Sequence, residues 1–218
     1  MIEIILDKAG KQYNEDWIFC DLRHTFTTGN STVILGSNGS GKSTLLQVIS
    51  SAIMPTAGKV TYRMNGNQVL PEHAFRLMAI AAPYIELIEE FTLSEMISFH
   101  RRLKPLVRNM TSPDLIRLCE LEHSADKPLK YFSSGMKQRL KLALAIMSNT
   151  PVLLLDEPVS NLDKAAISWY QELIEKNSRD RLIIVSSNSV AEEFGFCSHQ
   201  IRLEDYKPSR VEAASAAI

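Results

Sequence analysis

The segment Ile34–Gln47, which reads ILGSNGSGKSTLLQ, determines how the rest of the chain can be interpreted. Within it, Gly36–Ser43 fits the pattern G-x-x-x-x-G-K-[ST] at every fixed position. The apolar, β-branched run Ser31–Leu35 precedes the pattern and is typical of a strand, and Ser43–Ser50 is typical of a helix. Because glycines let successive backbone N–H groups converge on an anion at a helix N-terminus, this segment predicts a phosphate-binding loop.

The side chains of this loop have separate expected roles. Lys42 would reach the β- and γ-phosphates of a bound nucleotide as a point charge, and the hydroxyl of Ser43 would ligate Mg²⁺. The alternative is a glycine-rich turn that carries a lysine by chance, but the strand and helix on either side favour nucleotide binding. The other residues expected to surround the phosphates are Gly36, Ser37, Asn38, Gly39, Ser40, Gly41 and Thr44.

Length and composition are those of an ordinary soluble protein of one or two domains. The chain has 218 residues, is 45% hydrophobic and 22% charged, and carries a formal net charge of −1. This balance creates no overall field that would attract nucleic acid, so no nucleic acid partner is expected. There is no signal-peptide pattern and no run of 18 apolar residues. Cys20, Cys119 and Cys197 are far apart and suit free thiols in a reducing compartment, so we expect a cytoplasmic protein.

Strand and helix patterns alternate along much of the chain, which predicts a largely parallel sheet covered on both faces. We expect a turn at Lys8–Gly10 and a frayed tail over residues 211–218. Besides the strand before the loop, the predicted strands are Ile2–Leu6, Asp21–Thr27, Lys59–Arg63, Leu77–Ala82, Val152–Asp156, Leu182–Ser186 and His199–Leu203. The predicted helices run from a capping box at Thr92–Glu95 to about Leu103, from an N-cap at Ser112 to about Leu121, and over Ser134–Met147 and Lys164–Asn177.

Two adjacent carboxylates follow the continuously apolar run Val152–Leu155. Asp156 and Glu157 would lie at the carboxyl end of a buried parallel strand, where ligands of open α/β sheets bind. A pair of solvated acids is the alternative, but the phosphate loop elsewhere in the chain favours a catalytic site. Asp156 would then hold Mg²⁺, and Glu157 would polarise the attacking water.

Taken together, these motifs resemble those of an ATP-binding cassette (ABC) nucleotide-binding domain over nearly the whole chain. Phe132–Met136 is similar to the family signature LSGGQ and retains its serine, Ser133, and its second glycine, Gly135. Ser160–Asp163 matches the D-loop of the family. Tyr13 falls where the family has an aromatic residue that stacks on adenine, although such a side chain could also belong to the core.

The resemblance implies a P-loop NTPase of the α/β class, with a mostly parallel core sheet, an N-terminal antiparallel portion and a helical subdomain. It implies one ABC ATPase domain over residues 1–218, with the core at 1–84 and 141–210 and the helical subdomain at about 85–140. It also implies an ATPase that uses ATP and Mg²⁺. Two such domains would pair head to tail, so that Ser133, Gly135 and Asp163 of one face the nucleotide held by the other. An integral-membrane transporter subunit would be a separate chain, with this domain at the inner face of the membrane.

The chain departs from the family pattern at two positions. Tyr84 follows Pro83 where the family has a glutamine, and Asn188 follows Ser187 where the family has a histidine. A tyrosine lacks the paired donor and acceptor of an amide, and asparagine offers an N–H donor on a shorter side chain. We therefore expect slow hydrolysis with Glu157, Asn188 and Tyr84 in the catalytic site. A non-transport ABC ATPase and an ATP-dependent switch with little hydrolysis remain alternatives.

Overall fold

Two sheets and six α-helices make up the computed structural model over the part of the chain that it describes, residues 1–207. The strands are β1 (Ile2–Tyr13), β2 (Asp16–Thr27), β3 (Thr32–Leu35), β4 (Ala57–Met64), β5 (Asn67–Val69), β6 (Met78–Ala81), β7 (Val152–Asp156), β8 (Leu182–Ser187) and β9 (His199–Arg202). The helices are α1 (Lys42–Ile49), α2 (Leu93–Leu103), α3 (Ser112–Leu118), α4 (Ser134–Ile146), α5 (Lys164–Asn177) and α6 (Ala191–Phe194). Short 3₁₀ turns connect several of them.

The larger sheet is parallel throughout, with the strand order β6-β7-β8-β3-β9. Its side chains alternate between two cores. On one side Leu153, Leu155 and Val185 join the core formed with α4 and α5. On the other side Leu154 and Ile184 join the core formed with α1 and the smaller sheet. The predicted parallel sheet with both faces covered is confirmed.

The smaller sheet is antiparallel, with the order β2-β1-β4-β5, and confirms the predicted antiparallel portion. The expected turn at Lys8–Gly10 is wrong, because β1 continues through it. Lys8 has a positive φ of 54°, and the register shifts between Leu6 and Ala9, so the strand bulges instead of turning. β2 begins at Asp16 rather than Asp21, because its pairing with β1 extends to Tyr13.

Helix α2 follows its predicted boundaries, whereas helix α3 departs from them at both ends. Thr92 and Glu95 form the predicted capping box, and α2 ends at Leu103. The predicted N-cap of α3, Ser112, is wrong. Thr111 caps this helix and forms a capping box with Asp114, which places Ser112 in the first turn. The helix ends at Leu118, short of the expected Leu121.

Helices α2 and α3 lie between β6 and α4 in the chain, in the range expected for a helical subdomain. The division into a core and a helical subdomain stays a prediction. No helix among residues 1–207 combines the length and the hydropathy needed to cross a membrane. The predicted frayed tail at 211–218 and the end of the predicted core lie outside the described residues.

A partly buried histidine should make the stability of this fold depend on pH. Burial, with a smaller contribution from Lys104, lowers the pKa of His100 from 6.5 to about 4, and its Nε2 lies 2.8 Å from Ser148 Oγ. The folded state therefore binds fewer protons than the unfolded state, and stability is lost as the pH falls from about 6.5 toward 4. Between pH 7 and pH 5 we expect His100 to account for a loss on the order of 2 kcal/mol.

Urea unfolding of wild type and His100→Gln at both pH values would measure this loss. The substitution should flatten the pH dependence, whereas His73→Gln, at an exposed histidine, should leave it unchanged. Equal pH dependence in wild type and His100→Gln would contradict the assignment.

Candidate functional site

The carboxyl ends of all five parallel strands lie at one edge of the larger sheet. The phosphate loop, Gly36–Ser43, follows β3, and Glu157 follows β7. Asn188 follows β8, Tyr84 comes shortly after β6, and Glu204 comes shortly after β9. The parallel topology thus gathers residues from distant parts of the chain around the loop.

The phosphate loop has a backbone that requires glycine at several positions. Gly39 and Gly41 have φ values of 76° and 105°, in the left-handed region that other residues rarely enter. A Cβ atom on Gly41 would lie 2.1 Å from Cγ2 of Ile18, and one on Gly36 would lie 2.4 Å from Oγ of Ser40. The loop therefore packs directly on β2 and keeps the close turn needed to surround an anion.

Lys42 extends its side chain across the loop and is only 4% exposed. Its Nζ donates hydrogen bonds to the carbonyl oxygens of Gly36, at 2.9 Å, and Ser37, at 3.1 Å. The same Nζ lies 3.8 Å from Oε1 of Glu157. The ammonium and the carboxylate that the sequence assigned to phosphate binding and to water activation are therefore adjacent.

Asp156 is almost fully buried, at 1% exposed. Its Oδ1 accepts a hydrogen bond from Oγ of Ser186 on the neighbouring strand. Its Oδ2 has no hydrogen-bond partner within residues 1–207. A buried carboxylate oxygen without a partner is costly unless a cation or water binds it, so Asp156 fits the predicted Mg²⁺ role.

Tyr84 lies close to the sheet edge, and its hydroxyl is hydrogen-bonded to the side chain of Gln47 on α1. Burial raises the pKa of Tyr84 to about 12, with a further rise from Asp156 and a smaller opposing effect from Gln47. The hydroxyl therefore stays protonated at neutral pH and can donate or accept a hydrogen bond. It does not serve as a base.

Asn188 contacts the phosphate loop itself. Its Nδ2 donates a hydrogen bond to Oδ1 of Asn38, at 3.3 Å, although the two residues are 150 positions apart in the chain. The amide therefore lies directly beside the phosphate loop. Its role as a hydrogen-bond donor to the γ-phosphate stays a prediction.

The signature segment lies at the start of α4. Ser133 caps the helix by accepting a hydrogen bond from the N–H of Met136, at 3.2 Å. A Cβ atom on Gly135 would lie 3.2 Å from the carbonyl oxygen of Asn161 in the D-loop, and Asp163 caps α5. Within residues 1–207, no hydrogen bond or ion pair joins Ser133, Gly135 or Asp163 to the phosphate loop of the same chain.

Tyr13 is 46% exposed at the end of β1, with Nζ of Lys11 5.1 Å from its ring centroid. An exposed ring of this kind is available for stacking. The alternative, that the Tyr13 side chain belongs to the hydrophobic core, does not fit this exposure. The adenine-stacking role itself stays a prediction.

Sequence reasoning missed four residues that support the site, namely Gln47, Ser186, Glu193 and Glu204. Oε1 of Glu204 accepts a hydrogen bond from the backbone N–H of Ser37 at 2.8 Å, and this bond holds the pKa of Glu204 below its usual value. Ser186 precedes the anticipated γ-phosphate residue by two positions, so its place at the end of a buried strand was a usable signal. For the other three, the sequence gives no local pattern.

Comparison with known proteins places the chain in a family. A family model described as "ABC transporter" matches residues 19–160. The chain is 28% identical over 199 residues to the uncharacterized ABC transporter ATP-binding protein YybJ of Bacillus subtilis, with 90% of this chain and 89% of the relative covered. It is 30% identical over 188 residues to the cytochrome c biogenesis ATP-binding export protein CcmA of Brucella abortus, covering 84% of this chain and 82% of the relative.

Among solved structures, the fold is similar to that of MJ0796, described as a dimeric bacterial ABC transporter cassette. The TM-score is 0.74 at 22% identity, and the match covers 92% of this chain and 94% of that chain. This likeness confirms the predicted fold class.

Removing the ammonium group of Lys42 should weaken nucleotide binding. A hydrogen bond to a charged group contributes about 1.5–3 kcal/mol, so Lys42→Ala should raise the Kd for ATP with Mg²⁺ about 10- to 150-fold. Isothermal titration calorimetry would measure the change. Lys59→Ala is the matched control, since this lysine is 70% exposed and its nearest acid is Asp7 at 3.7 Å. An unchanged Kd for Lys42→Ala would argue against the assigned site.

Proposed function

The chain belongs to the ABC transporter family, and on that basis we propose that it is the ATP-binding and ATP-hydrolysing subunit of a transporter. The proposal rests on the position of three side chains, Lys42, Asp156 and Glu157, which lie together at one edge of the larger sheet. ABC domains bind ATP, generally with Mg²⁺, and the family is one of ATPases.

Each group at the edge has a chemical role in the proposed reaction. The loop amides and Lys42 bind the phosphates, and Glu157 orients and polarises the attacking water. Ser43 and Asp156 would hold Mg²⁺, which, when bound, neutralises charge on the phosphate oxygens. The distance of 3.8 Å between Lys42 Nζ and Glu157 Oε1 supports this assignment of neighbouring roles.

Slow turnover is part of the proposal. The hydroxyl of Tyr84 is engaged by Gln47 and keeps its proton, so it cannot replace both hydrogen-bonding functions of a glutamine amide. Asn188 would donate one N–H to the terminal phosphate from its place beside Asn38. An ATP-dependent switch with little hydrolysis is the second candidate, and the same two side chains favour it.

We infer that ATP joins two copies, or this chain and a similar one, head to tail. Ser133 begins a helix whose first N–H groups suit an anion, yet it is not linked to the phosphate loop of its own chain within the described residues. The partner's nucleotide would supply that anion. A structural relative is described as dimeric, which supports this arrangement.

Trapping the nucleotide should trap the dimer. Glu157→Gln keeps the shape of the side chain but removes the base, so it should bind ATP and hydrolyse it at least about 100-fold more slowly than wild type. Light scattering should then show an ATP-dependent dimer.

Adding Gly135→Asp to Glu157→Gln provides the test of the interface. This change places a carboxylate where the partner's phosphate would lie and should abolish the dimer while leaving ATP binding intact. If Glu157→Gln hydrolyses ATP at the wild-type rate, the catalytic assignment is wrong. If wild type itself shows negligible hydrolysis but binds ATP, the switch is the better description.

A groove beside β6 and α2 is the proposed docking site for a membrane subunit, which would keep this protein at the membrane. Its volume is about 260 Å³, and its walls are mostly apolar, with contributions from Ile85, Leu87 and Met96. Two lysines at its rim, Lys104 and Lys141, donate hydrogen bonds to backbone carbonyls, and burial lowers the pKa of both. Within residues 1–207 neither forms an ion pair, so the groove suits an apolar segment with an acidic group.

Cross-linking from the groove would identify the partner. A photo-reactive amino acid at Glu86, which lines the groove, should capture a protein with several membrane spans when the chain is expressed in its native cell. The same label at Glu172, exposed on α5, should not capture it. Capture of only ribosomal or other soluble proteins from Glu86 would favour a non-transport ABC ATPase.

A further inference from the structure

Glu193 is a buried carboxyl group that the proposed reaction does not use. It lies on the short helix α6 and is 2% exposed, while its neighbour Glu192 is exposed. Burial of a carboxyl group is costly unless hydrogen bonds compensate. Its Oε2 has no hydrogen-bond partner within residues 1–207, so the other oxygen must provide the compensation.

The carboxyl of Glu193 joins two loops at the sheet edge. It accepts hydrogen bonds from the backbone N–H of Val159 and from the side chain of Ser187. Val159 follows Glu157 by two residues, and Ser187 directly precedes Asn188. The side chain of Glu193 therefore connects the loop that carries Glu157, the proposed base, with the loop that carries Asn188, the proposed hydrogen-bond donor to the terminal phosphate.

The helix that carries Glu193 is itself fixed to the core. The hydroxyl of Tyr170 donates a hydrogen bond to the carbonyl oxygen of Glu193 at 2.8 Å. Tyr170 is fully buried on α5. The carboxyl is thus held from a rigid element rather than from a free loop.

Glu157 needs support of this kind because its backbone is strained. Its φ of 45° is unfavourable for a residue other than glycine and persists only where neighbouring contacts hold it. Its own N–H donates to the carbonyl oxygen of Ser186 at 3.0 Å, and the carbonyl of Pro158 accepts from Nε2 of Gln138 at 2.8 Å. The bond from Val159 to Glu193 is the next contact along the loop.

We propose that Glu193 is a positioning residue, which holds Glu157 and Asn188 in the relative positions needed for attack of water on the terminal phosphate. It acts through Val159 and Ser187 and does not touch the nucleotide. This inference rests on the proposed ATPase function.

The charge state of Glu193 guides the choice of variants. Burial raises the pKa of Glu193 to about 7, and the nearby Glu157 and Asp156 add to the rise, while the bonds from Ser187 and Val159 oppose it. A glutamine can accept the same hydrogen bonds without the charge. Glu193→Gln should therefore restore what Glu193→Ala removes.

Steady-state ATPase assays with Mg²⁺ on the full chain would test the inference. Glu193→Ala should lower kcat about 10- to 100-fold, the effect of a small misplacement of reacting groups, and leave KM for ATP within about twofold. Glu193→Gln should stay within about threefold of wild type in kcat. Glu192→Ala removes a carboxylate from the same helix and should change neither constant.

Hydrogen exchange provides a readout that does not depend on turnover. The backbone N–H of Val159 should exchange faster in Glu193→Ala than in wild type and stay protected in Glu193→Gln. If Glu193→Ala does not fold, Glu193→Asp replaces it, because the shorter side chain should withdraw the acceptor while keeping the carboxyl.

The possible failures are distinguishable. A wild-type kcat in Glu193→Ala or Glu193→Asp would overturn the role of Glu193 but leave the proposed ATPase function standing. An equal loss of kcat in Glu193→Gln and Glu193→Ala would have the same meaning. A rise in KM with kcat unchanged would also overturn it, because it would place Glu193 in nucleotide binding. Absence of turnover in wild type would overturn the proposed hydrolysis and, with it, this role of Glu193.

Discussion

The parallel pairing of β7 with β8 is the constraint on which the rest of the site depends. It sets Asp156 opposite Ser186, so that the loops after both strands start side by side. The pairing of β8 with β3 then brings Ser187 opposite Leu35, directly before the phosphate loop. Because all five strands run the same way, polar residues from remote segments face one space above a buried sheet. An antiparallel strand in the middle of this order would send one of these loops to the opposite edge.

The second requirement is that the loops that follow the parallel strands keep fixed positions at the sheet edge. The residues that hold them lie mostly outside the motifs: Glu204 binds the base of the phosphate loop, and Gln138 and Glu193 bind the loop after β7. Ile18 packs against Gly41 from the antiparallel sheet. The motifs thus provide the groups proposed to react, and contacts from the second sheet and from α4 and α6 hold the loops that carry them.

How much could be predicted from the sequence depended on the range of the interactions involved. The phosphate loop, the capping box at Thr92 and the buried strand before Asp156 are contiguous patterns, and the structure confirms these elements. The bulge at Lys8 was interpreted as a turn because Lys-Ala-Gly suits both, and only pairing with strands on both sides decides between them. The bond between Ser37 and Glu204 spans 167 positions and leaves no local pattern. Contacts of this kind depend on the assembled sheet, so no single segment contains them.

The positive φ at Glu157 also affects how this position can change over generations. The proposed reaction needs a carboxylate there, whereas the backbone is accommodated most easily by glycine, asparagine or aspartate and least easily by β-branched residues. A lineage released from the need for turnover would therefore drift toward glycine or asparagine here and avoid valine, isoleucine and threonine. A glutamate kept against that conformational preference is what sustained selection for chemistry would leave. The residue found at this position in a descendant would therefore indicate whether the need for a carboxylate or the conformational preference of the backbone had the stronger effect.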